Sequence, residues 1–156
     1  MNENLNGNGR ETSMSNPASV TQIEHIGIAV RDLAAATRLY ESLLGVPCYA
    51  TEDVPGQMVR TAFFKVGETK IELLESTSPD GPIGKFIEKR GEGIHHIAYA
   101  VGNIHLALRT LEEGGITLLD REPKPGAEGL EIAFLHPKST AGVLTELCQK
   151  PSLNPW

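Results

Sequence analysis

A short pattern occurs twice in this chain, and the repetition constrains its fold more than anything else in the sequence. Residues 25–33 read HIGIAVRDL and residues 96–104 read HIAYAVGNI, 71 positions on, with His, Ile, Ala and Val in matching places. Self-similarity at a fixed offset is the mark of a duplicated unit. Each copy leads into a helical period, Leu33, Thr37, Tyr40 and Leu44 in the first and Ile104, Leu108 and Leu111 in the second. Asp32 and Asn103 stand where a helix N-cap is needed, and Gly45 and Gly114-Gly115 where a helix ends. Three strand-like runs follow each helix. They lie near Pro47–Glu52, Met58–Lys65 and Thr69–Glu75 in the first copy, and near Thr117–Asp120, Glu131–Leu135 and Gly142–Gln149 in the second. Each half reads β-α-β-β-β. The expected fold is therefore α+β, with two tandem βαβββ modules at 22–77 and 94–150 inside one domain spanning 21–150. Residues 78–93 join the modules and predict a short helix at Ile83–Lys89.

Outside the repeat the chain is plain. Its 156 residues suit one domain. Residues 1–20, MNENLNGNGRETSMSNPASV, hold too little apolar surface to offset their ordering entropy and are expected to form a disordered arm. The arm lacks the apolar stretch of a signal peptide, and its Gly7 and Gly9 belong to no phosphate-binding loop. The tail from Pro151 to Trp156 reads as equally loose. A net charge of −6 argues against a general nucleic-acid or membrane-surface binder. No apolar run approaches the ~18 residues of a membrane span. Two cysteines, Cys48 and Cys148, form no CxxC or Cys/His cluster and suit a reducing cytoplasm, the expected location.

Strand parity then selects side chains. Successive residues of a strand point to opposite faces. His25, Gly27 and Ala29 share one face in the first copy, as do His96, Ala98 and Ala100 in the second; the bulky Ile, Val and Tyr positions face a helix. One face thus carries a histidine followed by small residues, which leave space beside it. By the repeat, His96 and not His95 matches His25, so His95 is expected to point away as a packing or supporting residue. The last strands, KIELL and LTEL, add Glu72 and Glu146 as matched acidic centres of apolar runs. A lone strand histidine is ordinarily a hydrogen-bonded core residue, and a lone strand glutamate ordinarily faces solvent. Four such groups related by a duplication point instead to a shared metal site. Two imidazoles and two carboxylates suit a divalent ion such as Co²⁺, Mn²⁺, Ni²⁺ or Zn²⁺, with positions left for substrate oxygen.

These residues also carry a resemblance. The duplicated modules with their His, Glu, His, Glu set resemble the vicinal oxygen chelate superfamily, which includes glyoxalase I and the extradiol dioxygenases. HIGIAVRDLAAATRLYESLLG, SPDGPIGKFIEKRGEGIHHIAYAV and FLHPKSTAGVLTELCQ resemble the methylmalonyl-CoA epimerase family within it, over about residues 22–150. The resemblance implies a glyoxalase-like half-barrel, metal ligation by His25, Glu72, His96 and Glu146, and a homodimer. It also implies interconversion of (R)- and (S)-methylmalonyl-CoA through a metal-chelated enolate. Bacterial epimerases of this type carry a glutamate on the second strand of the first module as one of two acid/base groups. This chain has Thr61 there, whose hydroxyl is a poor base, so the two-carboxylate mechanism does not transfer intact. Glu146 is the first candidate for the catalytic proton carrier, with Glu72 or a metal-bound water as alternatives. The acyl-CoA substrate is anionic and calls for local cations. Lys138 is the first candidate, with Lys65, Arg60 and Lys150 as further ones. His136 before Pro137 reads as a turn residue, and Cys148 as a small buried hydrophobe. The competing readings are glyoxalase I, an extradiol dioxygenase with two His and one carboxylate, and a metal-free ligand-sequestering protein of the same fold.

Overall fold

A computed structural model describes residues 18–151. Its elements are β1 (Val20–Ala29), α1 (Leu33–Leu44), β2 (Ala50–Val54), β3 (Val59–Val66), β4 (Thr69–Ser76), α2 (Pro82–Arg90), β5 (Gly93–Val101), α3 (Ile104–Glu113), β6 (Lys124–Pro125), β7 (Glu131–Leu135) and β8 (Thr145–Gln149). All eight strands form one curled sheet in the order β2-β3-β4-β1-β5-β8-β7-β6. The order is a palindrome in structural terms. β1 and β5 pair antiparallel at the seam, and each runs parallel to the last strand of its own module, β4 or β8. This is the α+β half-barrel that the duplication predicts.

The helices start and stop for local reasons. Asp32 Oδ1 accepts from the Ala35 N–H at 3.0 Å, and Asn103 Oδ1 accepts from the Leu106 N–H at 2.9 Å. Gly45 closes α1 in the left-handed region, its N–H bonded to the Glu41 carbonyl. Val30, Leu33, Ala62, Phe64 and Leu73 form a core under α1. Ile104, Ala107, Leu108, Ala133, Leu135 and Leu147 do the same under α3. Burial stabilises by roughly 1.5–3 kcal/mol per large apolar side chain, so these two clusters anchor the convex face. The concave face is left to carry polar groups.

Several boundaries differ from the sequence expectation. The expected strand at Thr117–Asp120 is not one: only a single bridge, Leu118 to Leu135, forms there. The Leu119 and Asp120 N–H groups both donate to the Phe134 carbonyl, and the Asp120 carboxylate accepts from the Phe134 N–H. A side chain thus takes the place of a main-chain partner and breaks the ladder. The pairing resumes as the two-residue β6. The last strand starts at Thr145 rather than Gly142, because Ala141 (φ 55°) and Gly142 (φ 88°) make a turn. β2 likewise starts at Ala50 rather than Pro47. Val20, assigned by composition to the arm, already pairs with Val101 in β1. The rest of the expected arm, residues 1–17, and the tail 152–156 lie outside the described residues.

Candidate metal centre

The seam between the modules builds the site. In the β1–β5 register His25 lies opposite Ala98, and Gly27 opposite His96. A side chain at Gly27 has no room: its Cβ would stand 2.3 Å from Cε1 of His96. Glycine there is what admits the imidazole. The outer strands repeat the relation, since β4 sets Glu72 beside Gly27 and β8 sets Glu146 beside Ala98. Phe63 and Phe134 lie across from the two glutamates and supply apolar walls.

Three of the four expected ligands converge. His25 Nε2 lies 3.0 Å from His96 Nε2. Glu146 reaches His96 Nε2 at 3.2 Å and His25 Nε2 at 3.7 Å. All three side chains are buried, and their donor atoms lie within 4.8 Å of one another. Glu72 is buried too but sits behind this group, its Oε1 3.5 Å from His25 Nδ1. A second cluster, Glu24, His25 and Cys148, is equally close. There the buried thiol of Cys148 contacts the Tyr99 carbonyl, and burial pushes its pKa up, so it stays a protonated hydrophobe.

The charge balance favours a cation. Burial alone would lower the pKa of His25, but the carboxylates of Glu72, Glu24 and Glu146 outweigh it and raise it to about 9. Burial raises Glu72 to about 7. Three buried carboxylates thus surround one imidazole, and the nearest fixed cation is Lys70, 4.0 Å from Glu72. Without an ion, His25 and Glu72 answer the excess negative charge by holding protons. A divalent ion among the same donors would answer it instead. Facing imidazole nitrogens with a carboxylate beside them are a donor set that fits Co²⁺, Mn²⁺, Ni²⁺ or Zn²⁺.

Other site residues escaped the sequence reading. A β-bulge in β1 makes Glu24 the extra residue between Ile23 and His25 and turns it onto His25 Nδ1. Lys70 is buried between Glu24 and Glu128, bonding Glu128 Oε2 at 2.6 Å. Glu128 also takes the Tyr49 hydroxyl at 2.6 Å. His95 does not simply point away, because β5 carries an irregularity at the equivalent place. Its Nδ1 lies 3.0 Å from His96 Nδ1, while its ring packs edge-on against Phe86 of α2. Burial and the neighbouring His96 lower its pKa to about 4, which keeps it neutral. The sequence held a signal for this pair: Glu24 and His95 are themselves 71 positions apart.

A cavity of about 300 Å³ opens over the site and is mostly apolar, lined by Leu119, Leu130, Ile132, Phe134 and Leu144 among others. Thr61 is fully buried in its wall together with Glu72 and Glu146. Gln57 also lines it, with its amide nitrogen buried and without a hydrogen-bond partner. The lysine at the cavity is Lys124, whose ammonium lies 3.1 Å from Asp120 and 5.3 Å from the Phe134 ring centroid. Lys138 is exposed on a turn outside the cavity, where its N–H bonds His136 Nδ1. Lys65 and Lys150 line a different hollow, and Arg60 is tied to Asp53 on the surface.

Comparison with known proteins agrees with this geometry. The sequence pattern of the glyoxalase/bleomycin resistance protein/dioxygenase superfamily matches residues 24–134. The chain belongs to this superfamily. The Bacillus subtilis protein YqjC is 42% identical to it over 130 residues, covering 83% of this chain and 93% of that protein. The ethylmalonyl-CoA/methylmalonyl-CoA epimerase of Cereibacter sphaeroides is 42% identical over 132 residues, covering 83% and 98%. A Streptomyces coelicolor methylmalonyl-CoA epimerase variant, solved in complex with 2-nitronate-propionyl-CoA, superposes with a TM-score of 0.83. It is 38% identical, covering 86% of this chain and 97% of that one. The buried cluster of His25, His96 and Glu146 lies at the seam where β1, β4, β5 and β8 meet.

Proposed function

We propose that this protein is a metal-dependent epimerase interconverting (R)- and (S)-methylmalonyl-CoA. The observation that carries the proposal is the buried convergence of His25, His96 and Glu146, drawn from both modules, at the floor of an acyl-sized cavity. Relatives at about 40% identity that act on acyl-CoA esters support it. His25, His96 and Glu146 would hold a divalent ion, with Glu72 as the fourth group. Bound there, the ion would supply Lewis-acid stabilisation of negative charge developing on substrate oxygen, worth several kcal/mol.

The chain's own residues account for the rest. Epimerisation removes the proton from the carbon between the thioester and the carboxylate and returns one to the opposite face. Thr61 holds the place of a base without the chemistry of one. Proton transfer therefore falls to the two carboxylates of the cavity, Glu146 and Glu72, one from each module. Glu72 lines the cavity beside His25 and is the second candidate carrier. The apolar wall of Leu130, Ile132, Phe134 and Leu144 keeps water from quenching the carbanionic carbon. The unpartnered amide N–H of Gln57 and the ammonium of Lys124, both at the cavity, would orient the two oxygen-bearing ends of the acyl group.

The test is deuterium incorporation at that carbon of methylmalonyl-CoA in heavy water, using metal-stripped protein with and without added Co²⁺. Rapid incorporation that depends on the ion is expected. No incorporation in either condition, with the protein folded, would overturn the assignment.

A further inference from the structure

We propose that Glu24 is a positioning residue that fixes which nitrogen of His25 is presented to a metal ion. This rests on the metal-site reading above and deepens it. Three observations on the fold carry it. First, the β1 bulge places Glu24 beside His25 on the site side of the strand, where a regular strand would have turned it to the opposite face. Its Oε2 then accepts from His25 Nδ1–H. With Nδ1 occupied as a donor, Nε2 is the nitrogen left with a lone pair, and Nε2 is the atom that faces His96 and Glu146.

Second, Glu24 is itself held. Its other oxygen pairs with the buried ammonium of Lys70, which is anchored on its far side by Glu128. Glu24 therefore has no free oxygen with which to swing into the ligand set. Its charge is balanced where it stands. Third, the other module repeats the device. The β5 irregularity makes His95 the extra residue before His96, and His95 folds onto His96 Nδ1 as Glu24 folds onto His25 Nδ1. A bulge residue placed against Nδ1 in both halves leaves both Nε2 atoms directed at the same point. A hydrogen-bonded outer group of this kind fixes the ring and its tautomer and raises its strength as a donor.

The experiment uses the whole metal-stripped protein, titrated calorimetrically with Co²⁺, in the parent and in Glu24→Gln and Glu24→Leu. Gln keeps an acceptor for Nδ1–H but loses the charge; Leu keeps neither. We expect Co²⁺ affinity to fall about tenfold in E24Q and about a hundredfold in E24L. In the Zn²⁺-loaded protein, a slowly exchanging, downfield His25 Nδ1–H proton resonance should be present in the parent and E24Q and absent in E24L. Binding within twofold of the parent in E24L, or an unchanged Nδ1–H resonance, would overturn the proposal. Should E24L fail to fold by circular dichroism, parent-like affinity in E24Q would overturn it alone. A parent protein that binds no Co²⁺ would overturn the metal-site reading instead, so the two failures are distinguishable.

Discussion

His25 is the most heavily loaded residue of the molecule: it touches Glu24, Glu72, His96 and Glu146 at once. Its proton and that of Glu72 respond to pH in the same direction. His25 is raised from 6.5 to about 9, so the stability it lends the metal-free fold is complete below about 6.5 and disappears as pH climbs through 9. Glu72 is raised from 4.5 to about 7, so its contribution is present below 4.5 and is lost on passing 7. An ion must displace both protons. Neutral, buried His95, lowered to about 4, works the other way below about 6.5, so the metal-free protein should melt at falling temperature as pH increases from about 6.5 to 9, while Co²⁺ affinity grows by up to about tenfold per pH unit for each proton displaced. Thermal unfolding and calorimetry across that range check both trends, and a melting temperature that rises with pH without metal contradicts them. The adjacent histidines should also separate. His96→Ala should abolish stoichiometric metal binding. His95→Ala removes an outer contact and should retain one ion with affinity lowered by about tenfold; equal loss in both would show that His95 is itself a ligand.

At the scale of the element, the site depends on the β1–β5 register. Gly27→Ala puts a methyl group inside the space of the His96 ring, 2.3 Å from Cε1. The ring must leave, so metal binding should be lost while the cores under α1 and α3 keep the protein folded. Metal content together with a near-parent circular dichroism spectrum is the expected result; retained metal would mean that the seam flexes enough to absorb a side chain. This dependence was legible in the sequence, because parity puts a small residue two places from each histidine. The repeat pointed to the His25, Glu72, His96 and Glu146 set, and Asp32 and Asn103 announced the capped helices after each copy. Parity failed at the bulges. One extra residue reverses the facing of a side chain, so Glu24 and His95 came onto the site side without any local pattern to announce it. It failed again at Lys70, a charged residue whose burial depends on Glu24 and Glu128, distant in sequence and close in space. Near Asp120 the apolar run suggested a strand, but a carboxylate capping the Phe134 N–H prevailed. That Lys124 and not Lys138 lines the cavity was not legible, because the cavity mouth is set by that irregular segment rather than by a motif.

Over the whole molecule, duplication is what turns two ordinary half-sites into one centre. Each module alone offers an imidazole and a carboxylate on an open sheet face, too few donors for a tight divalent site. Pairing β1 with β5 doubles the donors, buries them, and leaves a cavity above. The halves are not equal: the first ties its histidine to the Glu24–Lys70–Glu128 chain, and the second uses neutral His95 packed on Phe86. In the proposed centre both contribute to the same ion. The most direct test is a Co²⁺ titration of the metal-stripped protein alongside His25→Ala and His96→Ala. One ion per chain, with either single substitution abolishing stoichiometric binding, is the predicted result. Two ions per chain, or undiminished binding after losing the histidine of one module, would contradict a shared centre.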